Sequence, residues 1–301
     1  MRQGTLERRY DFHLGEAIRA SLTDSYDKAA THSERALAIS RELYAAAPEP
    51  ALHRPGLAAA LANHARYGGI QHAITLLTES AGHYAALADA DPEAYEVLRI
   101  DVLSRVALAA ELSGNTGDAI SMLREVIRMY EKAPAADPAQ RDLSLAAAHF
   151  HLGRCLLAAD VEADPKGGAE ADGLAEIEVG LDLADHAAEL LGITGAETPD
   201  GGGLTGDAPV GNPDGWLSHA PRLVQAVVQD WLAAATRAMT LHSAAGRWGQ
   251  AARAARAAVR VSAGLAALGG DAQRQAHEAL LARADTIWEH EETQWTAVGE
   301  G

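Results

Sequence analysis

Cysteine occurs once in the 301 residues, as Cys155. A single thiol cannot close an internal disulfide, so packing alone has to hold the fold, and a reducing compartment is the simplest setting. Phenylalanine occurs twice and aromatics make up 5% of the chain. With few runs of valine, isoleucine and threonine besides, the chain has little from which to build sheets. No apolar stretch approaches the roughly 20 continuous residues of a bilayer-spanning helix. Met1-Arg2-Gln3-Gly4 leads into charged residues without an apolar signal core. These features predict a cytoplasmic protein. Lysine is nearly absent beside abundant arginine and alanine, which suggests a GC-rich bacterial genome.

Alanine supplies much of the 48% hydrophobic content, and alanine has the highest helix propensity. The formal charge of −17 predicts overall repulsion from nucleic acid and anionic membranes. It reads either as a solubilising surface or as an attraction for basic partners.

Three segments align as repeats: Ala29 to Pro48, Ala73 to Pro92 and Ala119 to Pro138. Proline lacks the amide hydrogen and restricts the residue before it, so each proline marks a helix boundary. Within the segments, Ile74, Leu77, Ala81 and Tyr84 keep three-and-four spacing, as do Ile120, Leu123, Ile127 and Tyr130. After the prolines, Leu98, Val102, Val106 and Ala109 line one helix face, as do Leu145, Ala148, Leu152 and Leu156. Gly68-Gly69 and Gly114 stand where a left-handed helix cap would close each preceding helix. The unit is therefore helix, glycine turn, longer helix, proline turn.

This pattern resembles the tetratricopeptide repeat, in the long form of kinesin light chains and similar bacterial arrays. Ala107, Gly114 and Ala119 match its small residue, turn glycine and second small residue. Gly68 with Ala73, and Gly246 with Ala251, match in part, with Leu61 and Met239 where small residues belong. Leu152-Gly153 begins a further match whose turn is replaced by an insertion. The resemblance implies an all-α solenoid of antiparallel helix pairs with two Gly/acidic insertions. The expected organisation is an N-terminal helix (1–25), a repeat array (26–191), a flexible Gly/Pro-rich linker (192–215) and a C-terminal repeat with a capping helix (216–301). Residues 160–173 are acidic and glycine-containing and read as a loop. Residues 192–215 are too rich in Gly, Pro and Asp to bury a core.

Motifs with chemistry are scarce. GGGLTG at 201–206 has the letters of a dinucleotide loop, but no strand precedes it and no helix follows it. Thirteen histidines include no His-Glu-x-x-His pair. Glu79 with His83, and Asp182 with His186, read as surface pairs at four-residue spacing. Cys155 reads as a small buried hydrophobe. No catalytic residue, cofactor or metal is expected.

By resemblance, the first helix of each pair lines a concave groove that holds an extended peptide or a helix of another protein. Carried onto this chain, the groove positions are Arg66, Asp101, Ser104, Glu111 and Arg154. Arg253, Arg256 and Arg260 form a basic stripe. It reads as a solvated face, as an internal match to the acidic helix before residue 190, or as a secondary docking site. The expected function is a protein-interaction adaptor with a protein or peptide partner, without nucleic acid or membrane. A ligand-responsive sensor, and an enzyme with a site at the insertions, remain as alternatives.

Overall fold

The computed structural model describes residues 2–22, 25–46, 52–133, 138–163, 168–190, 222–268 and 271–299. Among these, every regular element is helical. The helices fall into two compact units, Met1–Ala136 and Asp137–Gly301.

The first unit holds α1 (Arg2–Leu22), α2 (Tyr26–Ala46), α3 (Arg54–His64), α4 (Ile70–Ala88), α5 (Pro92–Leu112) and α6 (Thr116–Lys132). Consecutive helices pack in sequence. Longer-range hydrogen bonds sort them into two rows. The Tyr10 hydroxyl on α1 donates to the Gly56 carbonyl on α3 (3.1 Å), and the Arg105 guanidinium on α5 donates to the Ala62 carbonyl on α3 (2.6 Å). These bonds put α1, α3 and α5 in one row. Arg41 on α2 pairs with Glu79 on α4 at 3.0 Å, within the other row. First helices lie beside first helices and second beside second, as in tetratricopeptide-like stacking.

The boundaries have local causes. Pro92 opens α5, where a missing amide hydrogen costs nothing. Asp91 caps it by accepting from the Ala94 amide at 3.1 Å. At its far end Gly114 has φ +85°, the Asn115 amide bonds back to the Ala110 carbonyl (3.0 Å), and the Gly114 amide bonds to Glu111 (2.9 Å). Those two bonds satisfy carbonyls that the helix end would otherwise leave open, as in a Schellman cap. Gly246 repeats the device at φ +69°, with the Arg247 amide on the His242 carbonyl at 2.9 Å. Gly68 and Gly69 do not: their φ values are −103° and −66°. The left-handed cap expected there is replaced by a 3₁₀ turn, Ala65–Tyr67, that closes α3.

The core of this unit gathers Leu57, Leu61, Leu76, Leu77, Tyr84, Val102 and Val106. Leu61, a misfit to the repeat pattern, is fully buried. Ala107 and Ala119 are also fully buried, and their small side chains let α5 and α6 approach. Leu98 is the exception on the predicted inner face of α5, being exposed.

The second unit holds α7 (Pro138–Ala163), α8 (Gly168–Leu190), α9 (Arg222–Ala244), α10 (Trp248–Leu268) and α11 (Asp271–Gly299). Residues 160–163 and 168–173 are helical, which corrects the expected loop over 160–173 at those positions; 164–167 lie outside the described residues. One of the glycines that suggested a loop, Gly173, serves packing instead, together with Gly153 and Gly180. A Cβ on Gly153 would lie 2.7 Å from the Gly173 carbonyl oxygen and 2.7 Å from Ile177 Cγ1. One on Gly173 would lie 3.0 Å from the Gly153 carbonyl oxygen, and one on Gly180 would lie 2.6 Å from the Phe150 ring. Helices α7 and α8 thus meet backbone to backbone, closer than any side chain permits. The core continues through Trp231, Met239 and a run of buried alanines on α10. The linker at 192–215 lies outside the described residues.

Candidate functional site

Helix α5 turns Ile100, Val102, Val106, Ala107, Ala109 and Ala110 inward. At three-and-four spacing its other side carries Leu98, Asp101, Ser104, Leu108, Glu111 and Leu112. Leu98 is 39% and Leu112 63% exposed, so apolar groups flank a polar stripe. Ser104, Leu108 and Glu111 are half-buried, and Arg66 is exposed just beyond α3. Arg66 adds its charge to that of Arg105, whose pKa burial and this neighbour push down to about 10.

Asp101 differs from its neighbours on the stripe. It accepts a short hydrogen bond from the hydroxyl of Tyr130, a side chain only 1% exposed. Reversing its charge would therefore act on the fold as well as on the surface: a lysine there would strand a buried phenol.

The second unit carries a lattice of ion pairs. Arg253 pairs with Asp182 and Arg260 with Asp185, both on α8, and Arg256 pairs with Glu291 on α11 at 3.4 Å. Arg253 and Arg260 thus meet the acidic helix, as one reading of the stripe anticipated, while Arg256 meets α11 instead. Arg260 also lies 5.2 Å from the Trp231 ring centre, within cation–π range. Burial raises the Asp185 pKa in spite of Arg260 beside it, so desolvation outweighs attraction at that carboxylate. Arg154 reaches Asp230 at 3.8 Å and His151 at 3.0 Å.

Histidine–carboxylate pairs across helices went unseen in the sequence. His149 lies 2.6 Å from Glu176, and His186 lies 2.8 Å from the buried Asp142, which Arg141 also meets at 3.0 Å. His242 lies 2.9 Å from Glu178. Burial holds the His242 pKa below the ordinary histidine value. These partners displace the expected pair of Asp182 with His186. Glu79 meets Arg41 and also acts electrostatically on His83, as expected, while His83 packs edge-on against Tyr44. Cys155 is buried, as expected. Among the described residues no group of three or more His, Cys, Asp or Glu is placed to hold a metal ion, and no helix is long and apolar enough to cross a membrane.

No protein-family model matches the chain, and no curated protein matches it. Two solved structures of nearly identical TPR-like repeats, assigned to a Podosopora anserina kinesin light chain, are similar to it. One is 15% identical over 95% of this chain and 96% of that one, with a TM-score of 0.38. The other, a point variant, is 16% identical over 98% of both chains, with a TM-score of 0.39.

Proposed function

We propose that the chain is a protein-interaction scaffold that holds a protein or peptide partner against α5 and the neighbouring end of α3. The outward stripe of α5 carries this reading: exposed Leu98 and Leu112 flank Ser104 and Glu111, with Arg66 nearby on the adjacent element. Apolar anchors set among polar side chains are the composition of partner-binding surfaces, where a few desolvated groups supply most of the affinity. The groove set drawn from the repeat resemblance is kept at Arg66, Ser104 and Glu111, while Asp101 acts through Tyr130 as a support of α5. Arg154 and the Arg253, Arg256 and Arg260 stripe serve the second unit through their acidic partners.

A random-peptide display library panned on the purified full chain tests this. Enriched peptides are expected to bind saturably, and Leu98→Asp with Leu112→Asp should weaken them by about tenfold or more. Equal affinity for the wild type and for a folded double variant would place the partner elsewhere.

The alternative of a ligand-responsive sensor draws support from a cavity among α9, α10 and α11. The alternative of an enzyme sited at 160–173 or 192–215 draws on no observation among the described residues.

A further inference from the structure

The second unit contains a cavity of about 680 Å³, open on one side and walled by α9, α10 and α11. A shallower cavity of about 430 Å³ adjoins it and shares Gln229, Leu232 and Thr236 on α9. The first volume lies within the range of small-molecule sites, roughly 300–1,000 Å³. Leu232, Leu265 and Leu280 form its apolar floor.

The charges around it have one sign. Among the described residues no acidic side chain lines either cavity, in a chain of net charge −17; the arginines Arg237 and Arg283 do. Elsewhere in this unit Arg141, Arg154, Arg253, Arg256, Arg260 and Arg274 each meet an acid. Among the described residues Arg237 and Arg283 meet none. Arg283 donates instead to Thr240 Oγ1 at 3.0 Å, and Thr240 lines the shallower cavity beside Arg237. Arg283, from the larger cavity, and Arg237, from the shallower one, thus both flank the Thr236–Thr240 edge of α9 without a counter-ion.

The other end is polar and uncharged. Ser262 donates to the Val259 carbonyl at 3.0 Å, so His277 Nδ1, 2.8 Å from the same hydroxyl, donates to it. That arrangement fixes the imidazole tautomer and leaves Ser262 without a base to activate it. Burial keeps the His277 pKa below the ordinary value, in keeping with a neutral ring.

We propose that these two adjoining cavities together bind one small organic anion, a carboxylate on an apolar body. Its head group is held by Arg237 and Arg283, and its body lies over Leu232, Leu265 and Leu280. A carboxylate supplies the counter-charge that the cavity walls lack, and planar guanidinium groups grip it through paired hydrogen bonds. The proposal does not depend on the peptide surface of α5, which belongs to the other unit.

Calorimetry of the full chain with octanoate, 1-octanol and octylammonium, three probes of one chain length, tests it. Octanoate is expected to bind saturably at one site, about tenfold or more tighter than either other probe. Arg237→Gln with Arg283→Gln should bring octanoate down to the affinity of octanol and leave octanol unchanged, with helicity retained by circular dichroism. If that variant does not fold, added salt on the wild type decides: it should weaken octanoate and spare octanol. Absence of saturable octanoate binding, equal binding of octanoate and octylammonium, insensitivity of octanoate to salt, or wild-type affinity in a folded double variant would each overturn the proposal. Failure here leaves the peptide-display result untouched.

Discussion

All seven tyrosines lie between Tyr10 and Tyr130, in the first unit, and all five tryptophans lie between Trp216 and Trp295, in the second. The two units differ as sharply in construction. The first uses helices of at most 21 residues, with proline and glycine at their ends and leucine and tyrosine in the core. The second uses helices of up to 29 residues, a glycine contact between α7 and α8, a run of buried alanines and ion pairs between helices. One repeat-like plan can thus be stabilised by interlocking apolar side chains or by close backbones braced with charge. Tyrosine emission reports the first solution and tryptophan emission the second, within one unmodified chain.

The largest effect should come from the glycine contact. Alanine in place of an exposed helical glycine stabilises by up to about 1 kcal/mol. At Gly153 the new Cβ meets backbone, which cannot give way cheaply. Gly153→Ala should therefore destabilise by about 1–3 kcal/mol, and valine by more. Chemical unfolding followed by tryptophan emission should move to lower denaturant, with the tyrosine transition shifted less. Equal shifts in both would show that the units unfold together.

Next comes Tyr130→Phe, which leaves the Asp101 carboxylate without its phenol. About 1–2 kcal/mol should be lost, since hydrogen bonds to charged groups are among the stronger ones. Here the tyrosine-reported transition should move and the tryptophan-reported one should not.

Acid should weaken both units. Burial depresses the pKa values of His13, His64 and His83 in the first and of His242 and His277 in the second. The unfolded chain then binds more protons than the folded one once pH falls below about 6.5. The histidines contribute their full stability above that pH, and it is lost as pH drops toward their folded values. Melting temperature should be lower at pH 5.5 than at 7.5; a rise would contradict the sign.

Gly82→Ala sharpens the contrast with Gly153. Gly82 sits within α4 with nothing within 4 Å of a new Cβ. The same substitution should there raise stability by about 0.5–1 kcal/mol. The smallest effect is expected of Arg253→Gln. Its pair with Asp182 is half exposed, and such pairs contribute about 0–1 kcal/mol. A shift beyond that range would mean that the ion-pair lattice acts as a unit.

The same difference explains what could be read from the sequence. Around α4, α5 and α6 the decisive residues act locally: Pro92 and Gly114 set boundaries through their own backbone chemistry, and period-3.6 spacing marks the buried face. Gly153 and Gly173 act on one another across twenty residues, and a glycine needed for close approach looks the same in sequence as one that ends a helix. The reading of 168–173 as part of a loop failed for that reason. Asp101 fell to the same blindness, because its partner lies 29 residues away on another helix. The arginine stripe was visible as a stripe, but the choice between solvent, partner and internal acid rested on where α8 and α11 fall. The two adjoining cavities gave no local sign at all, since their arginines come from separate helices and nothing in the sequence shows which arginines lack acids.

The Gly153–Gly173 contact also offers a way to find kin. A chain that keeps this helix pairing has to keep a residue without a side chain at both positions, whatever happens to the alanines and leucines around them. Glycine at 153, 173 and 180, with an aromatic at 150, makes a sparse pattern that can survive when overall identity has decayed. Distant helical-repeat sequences could be sorted by that pattern into those that share this backbone-to-backbone joint and those that only share helices.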